Sequence, residues 1–205
     1  MPPESPSPSS TTTFWNRPPG ASPIMYPLDD FYTQAGRPLP FIAPLAGSAI
    51  PQPYQDLLVH HLDMTSTLEK FHGARIHLHI LSSQQRDDFY YREVVLLLDG
   101  SNRPVEFGAI KINLGLFPPA ARQAILKGHL PLGRILHENG VSHASRPKAF
   151  IKVKSDDFIN SALQLTGSHL LFGRRNTLLD PKQKALAEIV EILPPVEQSP
   201  NEPSV

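Results

Sequence analysis

The chain has 205 residues, a length typical of a single domain. Its 19 basic and 19 acidic side chains balance, so it lacks the net positive field that a general nucleic-acid binder needs. It has no cysteine, which excludes disulfides, thiolate metal ligands and a cysteine nucleophile.

Neither a signal peptide nor a transmembrane segment is predicted. The first thirty residues contain no apolar run of the signal-peptide type, and no 18-residue apolar stretch occurs in the chain. We therefore expect a cytoplasmic protein that does not associate with membranes or nucleic acid.

Proline-rich segments stand at both ends of the chain. Residues 1–25 combine proline with serine, threonine and glycine, and residues 195–205 have a similar composition. Such segments have too little apolar surface to offset the entropy lost on ordering, so both are predicted to be disordered. Residues 26–194 are then predicted to form one folded domain.

Hydrophobic periodicity predicts an α+β fold on an antiparallel sheet. Residues 27–50 have no clean period and are expected to be irregular. A helical pattern follows over residues 54–71, interrupted near residue 63, and Ser66 and Glu69 match a capping box that would start a second helix. Hairpin strands mixed with helices of unequal length are typical of this class. The predicted strands are 74–81, 89–98, 104–113, 150–153, 170–179 and 185–193, and the predicted helical segments are 118–127, 131–136 and 156–165.

Two charged residues interrupt apolar strand faces. Arg92 shares its face with Tyr90 and Val94, and Glu191 shares its face with Ile189. A buried charge is costly unless a partner or ligand compensates it. Arg92 could be one half of a structural ion pair, or it could bind an anion, because guanidinium groups hold planar carboxylates with two hydrogen bonds.

Lys111 is a candidate for a second cation in the same place. If the hairpin loop is residues 99–102, position 92 lies opposite position 109, and Lys111 then shares the face of Arg92. Arg92 and Lys111 together would suit a substrate with two carboxylates. The alternative is that Lys111 extends to solvent.

Other polar residues give weaker signals. His77 and His79 project to one strand face, but no third ligand stands at a metal-binding spacing, so no metal is predicted. Arg174 and Arg175 point to opposite sides of a strand, and one of them is expected to be structural. Motifs for nucleotide binding and serine hydrolysis are absent, and no cofactor is predicted.

Five segments in order make the chain resemble the chorismate lyase family, over about residues 55–194. The resemblance implies a six-stranded antiparallel sheet with helices covering a buried ligand pocket. It implies a carbon–oxygen lyase that eliminates pyruvate from chorismate to give 4-hydroxybenzoate, without metal or cofactor. The segments are YYREVVLLLDG (90–100), PVEFGAIKIN (104–113), PLGRIL (131–136), LFGRRNTLL (171–179) and LAEIVEILP (186–194).

The same resemblance implies a set of site residues. Arg92 would hold the ring carboxylate, Leu132 and Gly133 would supply backbone contacts, and Glu191 would face the ring oxygen as a proton donor. The better-known family members have an arginine where this chain has Ala109, and we expect Lys111 to supply that charge as a catalytic and substrate-binding residue.

Three alternatives remain at this stage. A non-catalytic sensor of small aromatic acids has the same fold, although the proline-rich N-terminal segment is too short for a fused DNA-binding domain. A sister lyase would make another hydroxybenzoate, and a plain interaction protein would not use Arg92 or Glu191 at all. The oligomeric state, monomer or dimer, is left open.

Overall fold

The computed structural model describes residues 24–196, which form one antiparallel sheet and six helices. The strand order across the sheet is β1-β5-β6-β7-β4-β3-β2. None of the helices in this range is long and apolar enough to cross a membrane. The helices are α1 (Leu28–Gln34), α2 (Tyr54–Leu58), α3 (Met64–His72), α4 (Pro119–Lys127), α5 (Leu132–Glu138) and α6 (Asp157–Leu163), and the strands are β1 (Ile42–Leu45), β2 (Ile76–Arg86), β3 (Phe89–Leu98), β4 (Pro104–Asn113), β5 (Ala144–Lys154), β6 (Leu170–Leu179) and β7 (Ala185–Leu193).

The α+β antiparallel fold predicted from the sequence is confirmed, with seven strands instead of six. The added strand is β1, which lies in the segment predicted to be irregular and pairs at the sheet edge with β5. Strand β5 is also longer than predicted. Its first half pairs with β6 but is polar and has no apolar alternation, so the hydrophobic pattern did not predict it.

The predicted capping box is wrong. Helix α3 begins after Asp63, whose side chain makes no capping hydrogen bond, and the Ser66 hydroxyl donates to the Asp63 carbonyl. Glu69 instead forms an ion pair with Arg134 of α5 and accepts a hydrogen bond from the Ile76 backbone. Glu69 therefore ties α3 to its neighbours rather than to its own first turn.

Helices cover both faces of the sheet. On one face, α1 and α6 pack against Tyr91, Phe107 and Val190. On the other face, α4 and α5 pack against Ile110 and Ile112, while α2 and α3 form a separate cluster. The second face is therefore divided into two apolar clusters, and the space between them contains the candidate site.

The predicted disordered ends fall almost wholly outside the described residues and stay predictions. Of the arm assigned to 1–25, only residues 24 and 25 are described, and Met25 is fully buried against α1. At the other end, the backbone of Val196 donates to the Tyr54 hydroxyl.

A β-bulge shifts the pairing of β3 with β4 by one residue. Leu97 pairs with Pro104, but Leu96 pairs with Glu106, so Val105 has no direct partner. From there onward Arg92 lies opposite Ile110, not opposite Ala109 as predicted. A slip of one residue moves every side chain to the other sheet face, so the bulge decides which β4 residues share a face with Arg92.

Two glycines allow the neighbouring strands to approach β7 closely. A Cβ on Gly108 of β4 would lie 2.1 Å from the Val190 carbonyl oxygen, and one on Gly173 of β6 would lie 2.3 Å from the Glu191 carbonyl oxygen. Glycine at both positions therefore sets the path of β7 where Glu191 projects from it.

We predict that Gly173→Ala destabilises the protein by about 1–3 kcal/mol or more, because the new methyl group meets a backbone oxygen that cannot move aside. Gly47→Ala is the matched control, since its methyl would meet only the Phe150 and Val59 side chains, at 3.1 Å. Denaturant unfolding of both variants measures the difference. Equal stability of Gly173→Ala and the wild type would contradict the close approach.

Candidate ligand-binding site

A cavity of about 60 Å³ lies between the two apolar clusters on the second face of the sheet. Its floor is formed by strands β2, β3, β4, β6 and β7, and its roof by the first residues of α3 and α5. The walls are mainly aliphatic. The ionisable residues that line it are Asp63, Arg92, Glu106 and Glu191.

Arg92 is a buried cation with unused hydrogen-bond donors. Its side chain is 2% exposed, and within residues 24–196 neither Nε nor Nη1 has a hydrogen-bond partner. Burial lowers the pKa of Arg92 to about 10, because desolvation disfavours the cation, yet the group stays charged at neutral pH. An unpaired buried guanidinium is energetically costly, so this arrangement favours a bound anion over a structural ion pair.

Glu191 is engaged by Arg174 and not by Arg92. Both side chains are buried, and the Arg174 Nε donates to the Glu191 carboxylate. Arg174 also donates to the carbonyl oxygens of Leu58, His60 and Leu62, at 3.2, 3.3 and 3.4 Å. The pair therefore holds the segment between α2 and α3, and Arg174 is the structural arginine that the sequence analysis expected.

Glu106 is a site residue that the sequence analysis missed. It lines the cavity, its side chain is 5% exposed, and its Oε2 has no hydrogen-bond partner among the described residues. Burial, reinforced by the charge of Glu191 and opposed by that of Arg174, raises the pKa of Glu106 well above its usual range. The available signal was the same as for Arg92: a charged residue on an otherwise apolar strand face.

Leu132 and Gly133 line the cavity at the start of α5, as the resemblance implied. A Cβ on Gly133 would lie 3.3 Å from the Asp63 Cβ and 3.4 Å from the Thr65 Oγ1, so glycine lets α5 pack against the start of α3. Their backbone contacts to a ligand stay a prediction.

Asp63 is paired at the rim of the cavity. His143 Nε2 lies 2.9 Å from Asp63 Oδ1. Burial lowers the pKa of His143, but the Val141 carbonyl and the Asp63 carboxylate outweigh burial, so the net shift is upward. The Asp63 charge is therefore directed toward His143.

Lys111 lies on the opposite face of the sheet from Arg92, so its predicted placement is wrong. The bulge in β4 puts Lys111 opposite Tyr91, and its Nζ lies 3.6 Å from Glu188 and 4.4 Å from the centre of the Phe89 ring. Lys111 therefore cannot supply a second cation to the cavity. The structure brings Arg92, Leu132, Gly133 and Glu191 together and separates Lys111 from them.

The histidines form no metal site in the described part of the chain. His77 Nδ1 lies 2.7 Å from Asp99 at the end of β3. Within residues 24–196, no group of three histidine or acidic side chains is arranged to hold a metal ion.

We predict that Glu191→Gln destabilises the protein by about 3–5 kcal/mol, because it leaves Arg174 buried without its counter-charge. Glu188→Gln is the control, since its pair with Arg175 is partly exposed and is expected to contribute less than about 1 kcal/mol. Chemical denaturation measures both. Similar losses in the two variants would argue against a special role for the buried pair.

The chain matches no protein-family model and no curated protein. One solved structure similar to it is the ligand-binding domain of a protein assigned to the GntR family of transcriptional regulators from Bordetella bronchiseptica, 13% identical over 62% of this chain and 90% of that one, with a TM-score of 0.45. PhnF from Mycobacterium smegmatis is 13% identical over 66% of this chain and 65% of its own, with a TM-score of 0.49. The effector domain of PhnF is 13% identical over 64% of this chain and 87% of its own, with a TM-score of 0.48. Such likenesses concern the fold alone.

The prediction of a carbon–oxygen lyase is wrong. The similar structure from Bordetella bronchiseptica is a ligand-binding domain, and that of PhnF is an effector domain. The cavity supplies the physical reasons. Lys111, expected to hold the second carboxylate of chorismate, lies on the other face, and Glu191, expected to donate a proton, is held by Arg174.

Proposed function

We propose that this chain is a non-catalytic protein that binds one small aromatic acid and acts as its sensor. The observation that carries the proposal is Arg92, a buried guanidinium that faces a cavity with two nitrogen atoms unpaired among the described residues. A carboxylate would compensate this charge and accept its hydrogen bonds.

The charge of the cavity favours a ligand with a single negative charge. Arg174 neutralises Glu191, Asp63 is directed toward His143, and burial raises the pKa of Glu106, which favours its neutral form. Arg92 is then the one uncompensated charge among the described residues that line the cavity. A monocarboxylate balances it, whereas a dicarboxylate such as chorismate brings an extra charge that burial penalises.

The lining of the cavity favours an apolar body on the ligand. Val94, Ile110, Leu132 and Leu178 contribute aliphatic surface around the polar groups. Small-molecule sites commonly combine such apolar walls with a few polar groups that set the orientation. The start of α3 lines the same cavity as Arg92, and backbone N–H groups at a helix start suit a carboxylate. Benzoic acids, among them 4-hydroxybenzoate, have this combination of features.

We predict that Arg92→Met weakens the binding of 4-hydroxybenzoate at least about 30-fold, equivalent to about 2 kcal/mol, since the carboxylate loses its charged partner. Lys111→Met is the control and should leave the affinity unchanged, because Lys111 lies on the other face. Titration calorimetry measures both, and chorismate incubated with the wild type should yield no pyruvate. Equal affinity in Arg92→Met and the wild type would reject the proposal.

We further predict that Arg92→Met stabilises the unliganded protein, because it replaces an unpaired buried charge with an apolar side chain of similar length. A gain of about 1–3 kcal/mol corresponds to about 2–4 °C in melting temperature per kcal/mol for a domain of this size. Thermal unfolding without ligand measures it. A lower melting temperature would show instead that Arg92 has a structural role.

A further inference from the structure

We propose that Glu106 is a second specificity residue of this site, a neutral carboxylic acid that donates a hydrogen bond to an oxygen at the end of the ligand opposite its carboxylate. The inference rests on the proposed function and adds the chemistry of the ligand's far end. It assigns to the cavity a class of ligand with two polar ends, an anion at one and a hydrogen-bond acceptor at the other.

The sheet places Glu106 and Arg92 at two ends of one row. Arg92 lies opposite Ile110 and Glu106 lies opposite Leu96, all on the same face. Ile110 is four positions along β4 from Glu106, about 14 Å at ~3.4 Å per residue. Both side chains line the cavity, so they approach the ligand from opposite ends.

Gly108 keeps the space between these two ends open. It lies midway between Ile110 and Glu106 on β4, opposite Val94. Because glycine has no side chain, no Gly108 atom extends from the floor of the cavity between the two ends. A larger residue is excluded there by the close approach of the Val190 carbonyl oxygen.

The surroundings of Glu106 disfavour its ionised form. The other ionisable residues that line the cavity are Asp63, Arg92 and Glu191. Arg174 forms an ion pair with Glu191. Burial is the main cause that raises the pKa of Glu106; the charge of Glu191 adds to it, and the charge of Arg174 opposes it. A protonated carboxyl has one O–H donor, and Oε2 of Glu106 has no partner among the described residues to receive or supply a hydrogen bond.

Glu191 does not fill this role, although the resemblance to chorismate lyases implied that it faces the ring oxygen. Its carboxylate accepts from the Arg174 Nε, and both residues are buried. An ionised carboxylate can only accept hydrogen bonds, so it would recognise a donor and not an acceptor. In its neutral form Glu106 supplies a donor to the cavity.

The test compares two ligands of the same shape, 4-hydroxybenzoate and 4-methylbenzoate, by titration calorimetry at pH 7. The wild type should bind the hydroxy acid about tenfold more tightly, because the methyl acid leaves Glu106 buried without a partner. In Glu106→Leu this ratio should fall to about one or invert. Glu106→Gln should keep most of it, because the amide still offers a donor.

The variants separate the two proposals. Arg92→Met should lose affinity for both acids alike. If both acids bind through Arg92 but Glu106→Leu keeps the wild-type ratio, the role of Glu106 is rejected and the proposed function stands. If the wild type binds neither acid, both proposals fall.

A measurement without ligand tests the protonation of Glu106 independently. A carboxyl group whose pKa is higher in the folded state does not reduce stability at pH values below its unfolded-state pKa of about 4.3. As the pH rises above that value, the group reduces the stability of the folded state. The folding equilibrium constant of the wild type should therefore fall relative to Glu106→Gln, by up to about tenfold per pH unit, between pH 5 and the folded-state pKa. A difference that does not change with pH would mean an ionised Glu106 and would overturn the inference.

Discussion

The buried ion pair between Arg174 and Glu191 is the interaction on which the site depends. It joins β6 to β7 in the middle of the sheet, and Arg174 extends from it to three carbonyl oxygens of the segment that connects α2 with α3. The pair thus holds the roof of the cavity in place. It also engages the carboxylate of Glu191, which the family resemblance implied to be catalytic. Burial and the charge of Glu191 raise the pKa of the neighbouring Glu106, while the charge of Arg174 opposes that shift. The pair therefore affects both the shape of the cavity and its charge.

The β-bulge at Val105 is the second constraint, because it determines the number of cations in the cavity. With regular pairing, Lys111 would share the face of Arg92; with the bulge, Lys111 pairs with Glu188 beneath α1 and the aromatic rings there. The cavity then has a single uncompensated guanidinium among its described lining residues. A site with one uncompensated cation and aliphatic walls suits the small monoacid that we propose. It lacks the second cation on which the lyase mechanism depended.

The unpaired nitrogen atoms of Arg92 and the unpaired Oε2 of Glu106 have an energetic cost in the free protein, because they are polar atoms removed from water without partners among the described residues. Residues of this kind persist where a ligand supplies the missing contacts, and they are commonly found at functional sites rather than in the structural core. The opposite face of the sheet contains both kinds of charge. Lys111, Arg175 and Glu188 compensate one another there, whereas Oε1 of the buried Glu93 has no partner among the described residues and burial raises the pKa of Glu93 to about 7.

The sequence by itself determined the strands with strong alternation, the antiparallel α+β class, and the two misplaced charges Arg92 and Glu191. Strands β3, β4, β6 and β7 were predicted with their observed bounds, because central strands bury enough apolar residues to show a period. Strand β1 and the first half of β5 were not, because edge pairing relies on backbone hydrogen bonds that leave little trace in the side chains. Only the tertiary structure decided the face of Lys111 and the partner of Glu191. The position of the one-residue bulge depends on strand register. The choice of Arg174, and not Arg92 or Arg175, as the partner of Glu191 depends on the path of the α2–α3 segment. Both are set by contacts between residues far apart in the chain.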